Sequence, residues 1–142
     1  MRRALVWVVG LVYALAWFVQ VVKDGSTLAD GVLPGWEALR LALSPLWEHD
    51  FGGSLLEASL SVGSGLSNVV FLAAFVRLAR HEAVRTSAWS WALLAAAAVD
   101  TFWMFDQGGP RDLRAGYYLW FGSFVLFGLL ARPSRAGPRA AA

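Results

Sequence analysis

The sequence contains no cysteine. That removes disulfides, thiolate metal sites and cysteine nucleophiles together. Charge is scarce too: Asp, Glu, Lys and Arg make up 15% of the chain, against about 25% in a soluble domain. The two histidines, His49 and His81, both fall outside the apolar runs, so neither can serve as an axial haem ligand on a span. His49 stands between Glu48 and Asp50 in a loop and reads as a solvated cluster, and His81 reads as ordinary interface charge in "RLARHEAVR", 77–85. The chain has no HExxH and no GxSxG motif. "GSGLS", 63–67, lies inside an apolar run with no strand before it, so it is not a phosphate loop. No catalytic residue, metal or cofactor is expected. A nucleic-acid partner would need a denser basic surface.

Apolar residues are abundant. Of 142 residues, 58% are hydrophobic, with eight Trp, nine Phe and a mean hydropathy of +0.54, which places the chain in the membrane class. Four apolar runs stand out, at about 4–22, 53–76, 86–105 and 115–131. The first, "ALVWVVGLVYALAWFVQVV", has no charge; as a helix it would reach ~28 Å, close to the hydrocarbon thickness of a bilayer. None of the runs alternates at period two, so they read as helices and not as barrel strands. The first is too long for a signal core and reads as an uncleaved anchor. The expected fold is all-α: a single four-helix transmembrane bundle over 1–131.

The charges set the threading. Arg2, Arg3, Arg77, Arg80, Arg85, Arg132, Arg135 and Arg139 fall on one side, opposed only by Glu82. The other side holds Lys23, Arg40, Arg111 and Arg114 against Asp24, Asp30, Glu37, Glu48, Asp50, Asp106 and Asp112. Short basic loops stay in the cytoplasm. Both termini are therefore expected there, with the 23–52 loop outside. The tail 132–142, rich in Arg, Pro and Ala, is expected to be disordered and drawn to anionic headgroups.

Inside the outer loop, Pro34 opens a short helix over about 35–44. Trp36, Leu39, Leu43 and Trp47 recur at helical spacing, so the helix is expected to lie in the interface with these four as anchors. A lid over an outward cavity is the alternative.

The second run carries two polar lines. Glu57, Ser61, Ser64 and Asn68 share one helical face, and Ser59, Gly63 and Ser67 form a small-residue seam beside it. The third run answers with Ala92, Ala96, Ala97 and Asp100. Counted from the outer boundary, Glu57 and Asp100 each lie slightly more than a turn deep, so the two carboxyls are expected to meet. Gln20, Tyr117 and Tyr118 share that level. Three readings stay open for this cluster: polar packing between helices, a site for a ligand, ion or proton, or an interface with another membrane protein.

"LPGWEAL" at 33–39, "LSNVVFLAAFVRLAR" at 66–80, a basic turn, an Ala/Leu-rich span and "AGYYLWFGSFVL" at 115–126 follow in order. This order resembles a loose group of small bacterial four-span membrane proteins. They share a Pro-Gly-aromatic helix in the first outer loop, an Asn in span two and a Gly-x-Tyr-Leu-Trp start to span four, here Gly116 to Trp120. The resemblance implies a four-helix inner-membrane fold and no particular activity. The functional expectation is a non-enzymatic packing or interaction protein, contacting lipid and either a second copy or another membrane protein. The alternative is a transporter-like or ligand-binding role through the polar cluster.

Overall fold

The structure, a computed structural model, describes residues 2–23, 32–48, 53–80, 87–106, 110 and 113–132. The expectations for Asp24, Asp30, His49, Asp50, His81, Glu82, Arg85, Arg111, Asp112 and the tail beyond Arg132 fall outside the described residues.

The described chain is mostly helical. In order come α1 (Arg2–Ala16), β1 (Gln20–Lys23), β2 (Val32–Pro34), α2 (Gly35–Leu43), a 3-10 turn at Ser44–Leu46, α3 (Leu55–Ala79), α4 (Ser87–Asp100), α5 (Phe102–Asp106) and α6 (Ala115–Leu130). Among the described residues two helical stretches are long and apolar enough to cross a membrane, Leu55–Ala79 and Ala88–Phe105; Arg3–Ala16 and Ala115–Leu130 are shorter apolar helices.

The first apolar run does not stay helical to residue 22, as its hydropathy suggested. It ends at Ala16, turns through Trp17 and Phe18, and continues as β1. The residues past the turn include Val19, Val21 and Val22, β-branched side chains that suit a strand better than a helix. β1 pairs antiparallel with β2, Gln20 opposite Pro34 and Lys23 opposite Val32, with an irregularity between Gln20 and Val22. Its other side is also engaged, because Arg114 N–H donates to the Val21 carbonyl at 2.8 Å. Two glycines let this hairpin dock. A Cβ on Gly116 would meet the Gln20 and Val19 carbonyl oxygens at 2.6 and 2.7 Å, and one on Gly35 would meet the Ala16 carbonyl oxygen at 2.7 Å.

The four long helices enclose one core. α6 packs on α1 and α4, and α3 packs on α4 and α1. Neighbours run antiparallel: Tyr13 meets Asn68 and Phe71 while Trp7 meets Phe75, and Tyr117 bonds Asp100 while Ser90 bonds Gly128. Phe71, Leu93, Phe124 and Phe127 are fully buried at the centre, with Tyr13 stacked on Phe71 at 3.9 Å. Near the other end, the Arg77 guanidinium lies over the Trp89 ring, 5.1 Å from its centroid.

Polar side chains share the interior with this apolar core, and large apolar side chains stand on the surface. Ser61, Ser64, Ser67, Asn68, Ser90, Asp100 and Ser123 are buried. Leu11 and Leu15 on α1, Leu66 and Val69 on α3, Trp91 on α4 and Leu126 on α6 are exposed. Apolar side chains therefore face outward on every long helix.

Candidate functional site

Asn68 is the hub of the interior. Its carbonyl oxygen accepts from the Tyr13 hydroxyl and from Trp120 Nε1, both at 2.8 Å. Its amide nitrogen donates to the carbonyls of Gly65 at 3.0 Å and Ser64 at 3.4 Å. One side chain thus joins α1, α3 and α6. It reaches all three because α3 is apolar on nearly every face and can be inserted among its neighbours; the polar line along it then has to find partners on them.

Asp100 ends α4 and is completely buried, 0% exposed. Its carboxyl lies 3.4 and 3.5 Å from the Ser67 hydroxyl, and Ser64 also faces it. The Ser67 hydrogen has a nearer acceptor, the Ser64 carbonyl at 2.6 Å. The Asp100 backbone carbonyl, at the break before Thr101, accepts from the Tyr117 hydroxyl at 2.8 Å. On the far side of that break, Trp103 Nε1 donates to Ser64 Oγ at 2.9 Å. Among the described residues no buried side-chain nitrogen or oxygen lacks a partner.

The expected meeting of Glu57 and Asp100 does not occur. Glu57 closes a capping box at the start of α3: Ser54 N–H donates to Glu57 Oε2 at 2.6 Å, and Glu57 N–H donates to Ser54 Oγ at 3.2 Å. Asp100 lies level with Ser67, ten residues on, or about 15 Å along the helix. Depth has to be counted from the short connection between α3 and α4. From there Ser67 lies twelve residues back from Ala79, and Asp100 thirteen forward from Ser87. The N-terminal part of α3 runs past this level and is met by α2.

Of the other expected members, Tyr117 is in the network, while Gln20 is exposed on β1 and Tyr118 is exposed and donates to the Pro110 carbonyl at 2.9 Å. Ser61 leaves the cluster to donate to the Ala42 carbonyl of α2 at 2.9 Å. Ser59 returns its hydroxyl to the Leu55 carbonyl. Gly63 and Ser67 do form the seam against α4, at Val99 and Asp100. Ala92, by contrast, is exposed. Sequence reasoning missed Tyr13, Trp103 and Trp120. Their signal was a polar ring atom inside an apolar run, and such an atom usually finds a partner when buried.

α2 is helical where expected, but its apolar face is divided. Leu39 and Leu43 turn onto α3, where Gly65 makes room for the Leu43 side chain, while Trp36 and Trp47 are exposed. α2 with the hairpin roofs a cavity of about 170 Å³ whose floor is Ser64, Asn68, Tyr117 and Trp120. Comparison of the chain with protein-family models, with curated proteins and with solved structures gave no match.

Because Glu57 and Asp100 do not touch, changing both should be additive. Glu57→Gln keeps a side chain that can close a capping box, and Ser54→Ala is expected to lower stability by about 1 kcal/mol. In denaturant titrations, Glu57→Gln and Asp100→Asn should combine within about 0.5 kcal/mol of their sum, as for distant sites. A larger coupling would restore the pair.

Proposed function

We propose that the chain is a four-span integral protein of the bacterial inner membrane, a four-helix bundle with both termini cytoplasmic, acting through contact and not through catalysis. The exposed apolar surface carries this reading: leucines, valines and tryptophans stand outward on the four long helices, while serines, Asn68 and Asp100 are turned inward. An outward apolar surface of that extent suits hydrocarbon and not water. The basic residues at the chain ends and in the 77–85 connection, with acids gathered in the other loops, support the threading. The order of features that resembles the small four-span bacterial group supports it too. The network favours packing over transport, because every buried side-chain nitrogen and oxygen among the described residues has a hydrogen-bond partner within the protein. Ala88, Ala92 and Ala95 on the open face of α4 offer a small-residue surface on which a second copy or another membrane protein could approach closely.

Reporter fusions after residues 30 and 82 test the threading. The expected result is an external signal at 30 and a cytoplasmic one at 82. A cytoplasmic signal at 30 would overturn it. Native mass spectrometry from mild detergent tests the contact reading: an assembly is expected, lost in Ala92→Leu, and a lone chain would count against it.

A further inference from the structure

The cavity beneath α2 is not accounted for by packing. It is walled by the end of α1, the hairpin, α3, Trp103 and α6, and roofed by α2. Its lining contains no charged side chain. Its polar side chains already have partners: Asn68 holds Tyr13 and Trp120, Ser64 holds Trp103, and Tyr117 holds the Asp100 carbonyl. A trapped water needs two to four polar partners, and this floor has few free atoms to give it. The space is therefore built for something apolar.

The roof explains why the space persists. α2 turns Gly35, Ala38 and Ala42 toward the cavity, and Gly65 lies across from them. The chain is rich in leucine and tryptophan, yet the smallest side chains occur at the positions that could fill the void. Gly65 is needed to admit Leu43, and Gly35 to admit the α1 backbone, while Ala38 packs against the Val21, Leu113 and Tyr117 cluster and also lines the space. Leu41 is exposed and also lines the space, so it stands at an opening beside α2. An apolar cavity of about 150 Å³ in a protein core is known to stay dry and to take up benzene, and this one is of that size.

We infer that the cavity is a binding site for a neutral hydrocarbon group about the size of one aromatic ring, admitted beside α2, which serves as its cover. Charged and zwitterionic groups are excluded by the lining. The group has two sources: the end of a lipid chain from the surrounding membrane, or a free apolar molecule. Both present the same chemistry to the site.

The test uses the full chain in mild detergent with fluorobenzene as probe. Fluorine NMR should show a saturable bound signal, one per chain, separate from the micelle signal. Ala38→Leu, which places a side chain in the space, should abolish that signal while melting at or above the wild-type temperature. If Ala38→Leu does not fold, Ala42→Val replaces it with the same expected loss. Organic extracts of the purified protein, analysed by mass spectrometry, separate the sources. A lipid retained at one per chain by wild type and lost in the variant identifies a membrane tail, whose removal then uncovers the fluorobenzene signal. Fluorobenzene binding without a retained lipid identifies a free molecule. Neither a retained lipid nor a saturable signal, or equal retention and signal in the filled variant, would overturn the site.

Discussion

Asn68→Leu is expected to be the most damaging single substitution in the chain, with a loss of about 2–4 kcal/mol. Four hydrogen bonds disappear, but the two that Asn68 donates run to carbonyls of its own helix and matter least. The decisive loss is the acceptor for the Tyr13 hydroxyl and for Trp120 Nε1. Both donors would remain between packed helices. Interhelical hydrogen bonds within a membrane average only ~0.6 kcal/mol, which alone would make the effect small. A stranded buried donor costs about 1–3 kcal/mol, and two of them dominate. Adding Tyr13→Phe removes one stranded donor, so the double variant should be less destabilised than the sum of the two single changes. Unfolding by an ionic detergent, followed through tryptophan fluorescence, measures all three. If Asn68→Leu unfolds with the wild type, the hub does not hold the helices together.

Gly116→Ala should follow closely, for a different reason. The added methyl would sit 2.6–2.7 Å from two backbone carbonyl oxygens of the strand approach. Those atoms belong to the backbone entering β1, a strand held by its pairing with β2 and, at Val21, by the Arg114 bond, so neither can rotate away as a side chain would. Forced overpacking of this kind costs about 1–3 kcal/mol, more than the helix propensity that alanine gains over glycine, about 1 kcal/mol. Gly122, on the same helix with open space around it, supplies the control: Gly122→Ala keeps the propensity gain without the clash. Thermal melts should therefore move in opposite directions for the two. Hydrogen exchange at Gln20–Lys23 should quicken only in the Gly116 variant.

The sequence made some of this legible and hid the rest. α3, α6 and α2 were visible because their signals are local: unbroken apolar runs, and a proline opening a short helix. The burial of Ser61, Ser64 and Asn68 followed from one helical face. α1 was overextended because hydropathy scores a valine-rich strand and a valine-rich helix alike. The carboxyl pair failed because it assumed that α3 and α4 end together on the outer side. The capping signature was present all along as Ser54 followed three residues later by Glu57; it assigned Glu57 to the helix end and not to the interior. Tyr13, Trp103 and Trp120 were beyond local reading. Only the assembly of the helices brings their donors to Asn68 and Ser64.

The unequal helices also shape whatever surrounds them. α1 and α6 pack side by side, with 15 and 16 residues, and each rises only about 22–24 Å. α3 has 25 residues and rises about 37 Å. One wall of the protein is thus shorter than a typical ~30 Å hydrocarbon core and another is taller. In a bilayer, lipids beside α1 and α6 must thin while those beside α3 stretch, unless the whole molecule leans. The strand pair at the end of α1, bonded between β1 and β2 and from Arg114 to Val21, would let irregular chain sit at that depth at lower cost. The protein would then carry a thickness gradient around its own perimeter, and neighbours with a matching short side would relieve it by settling against α1 and α6.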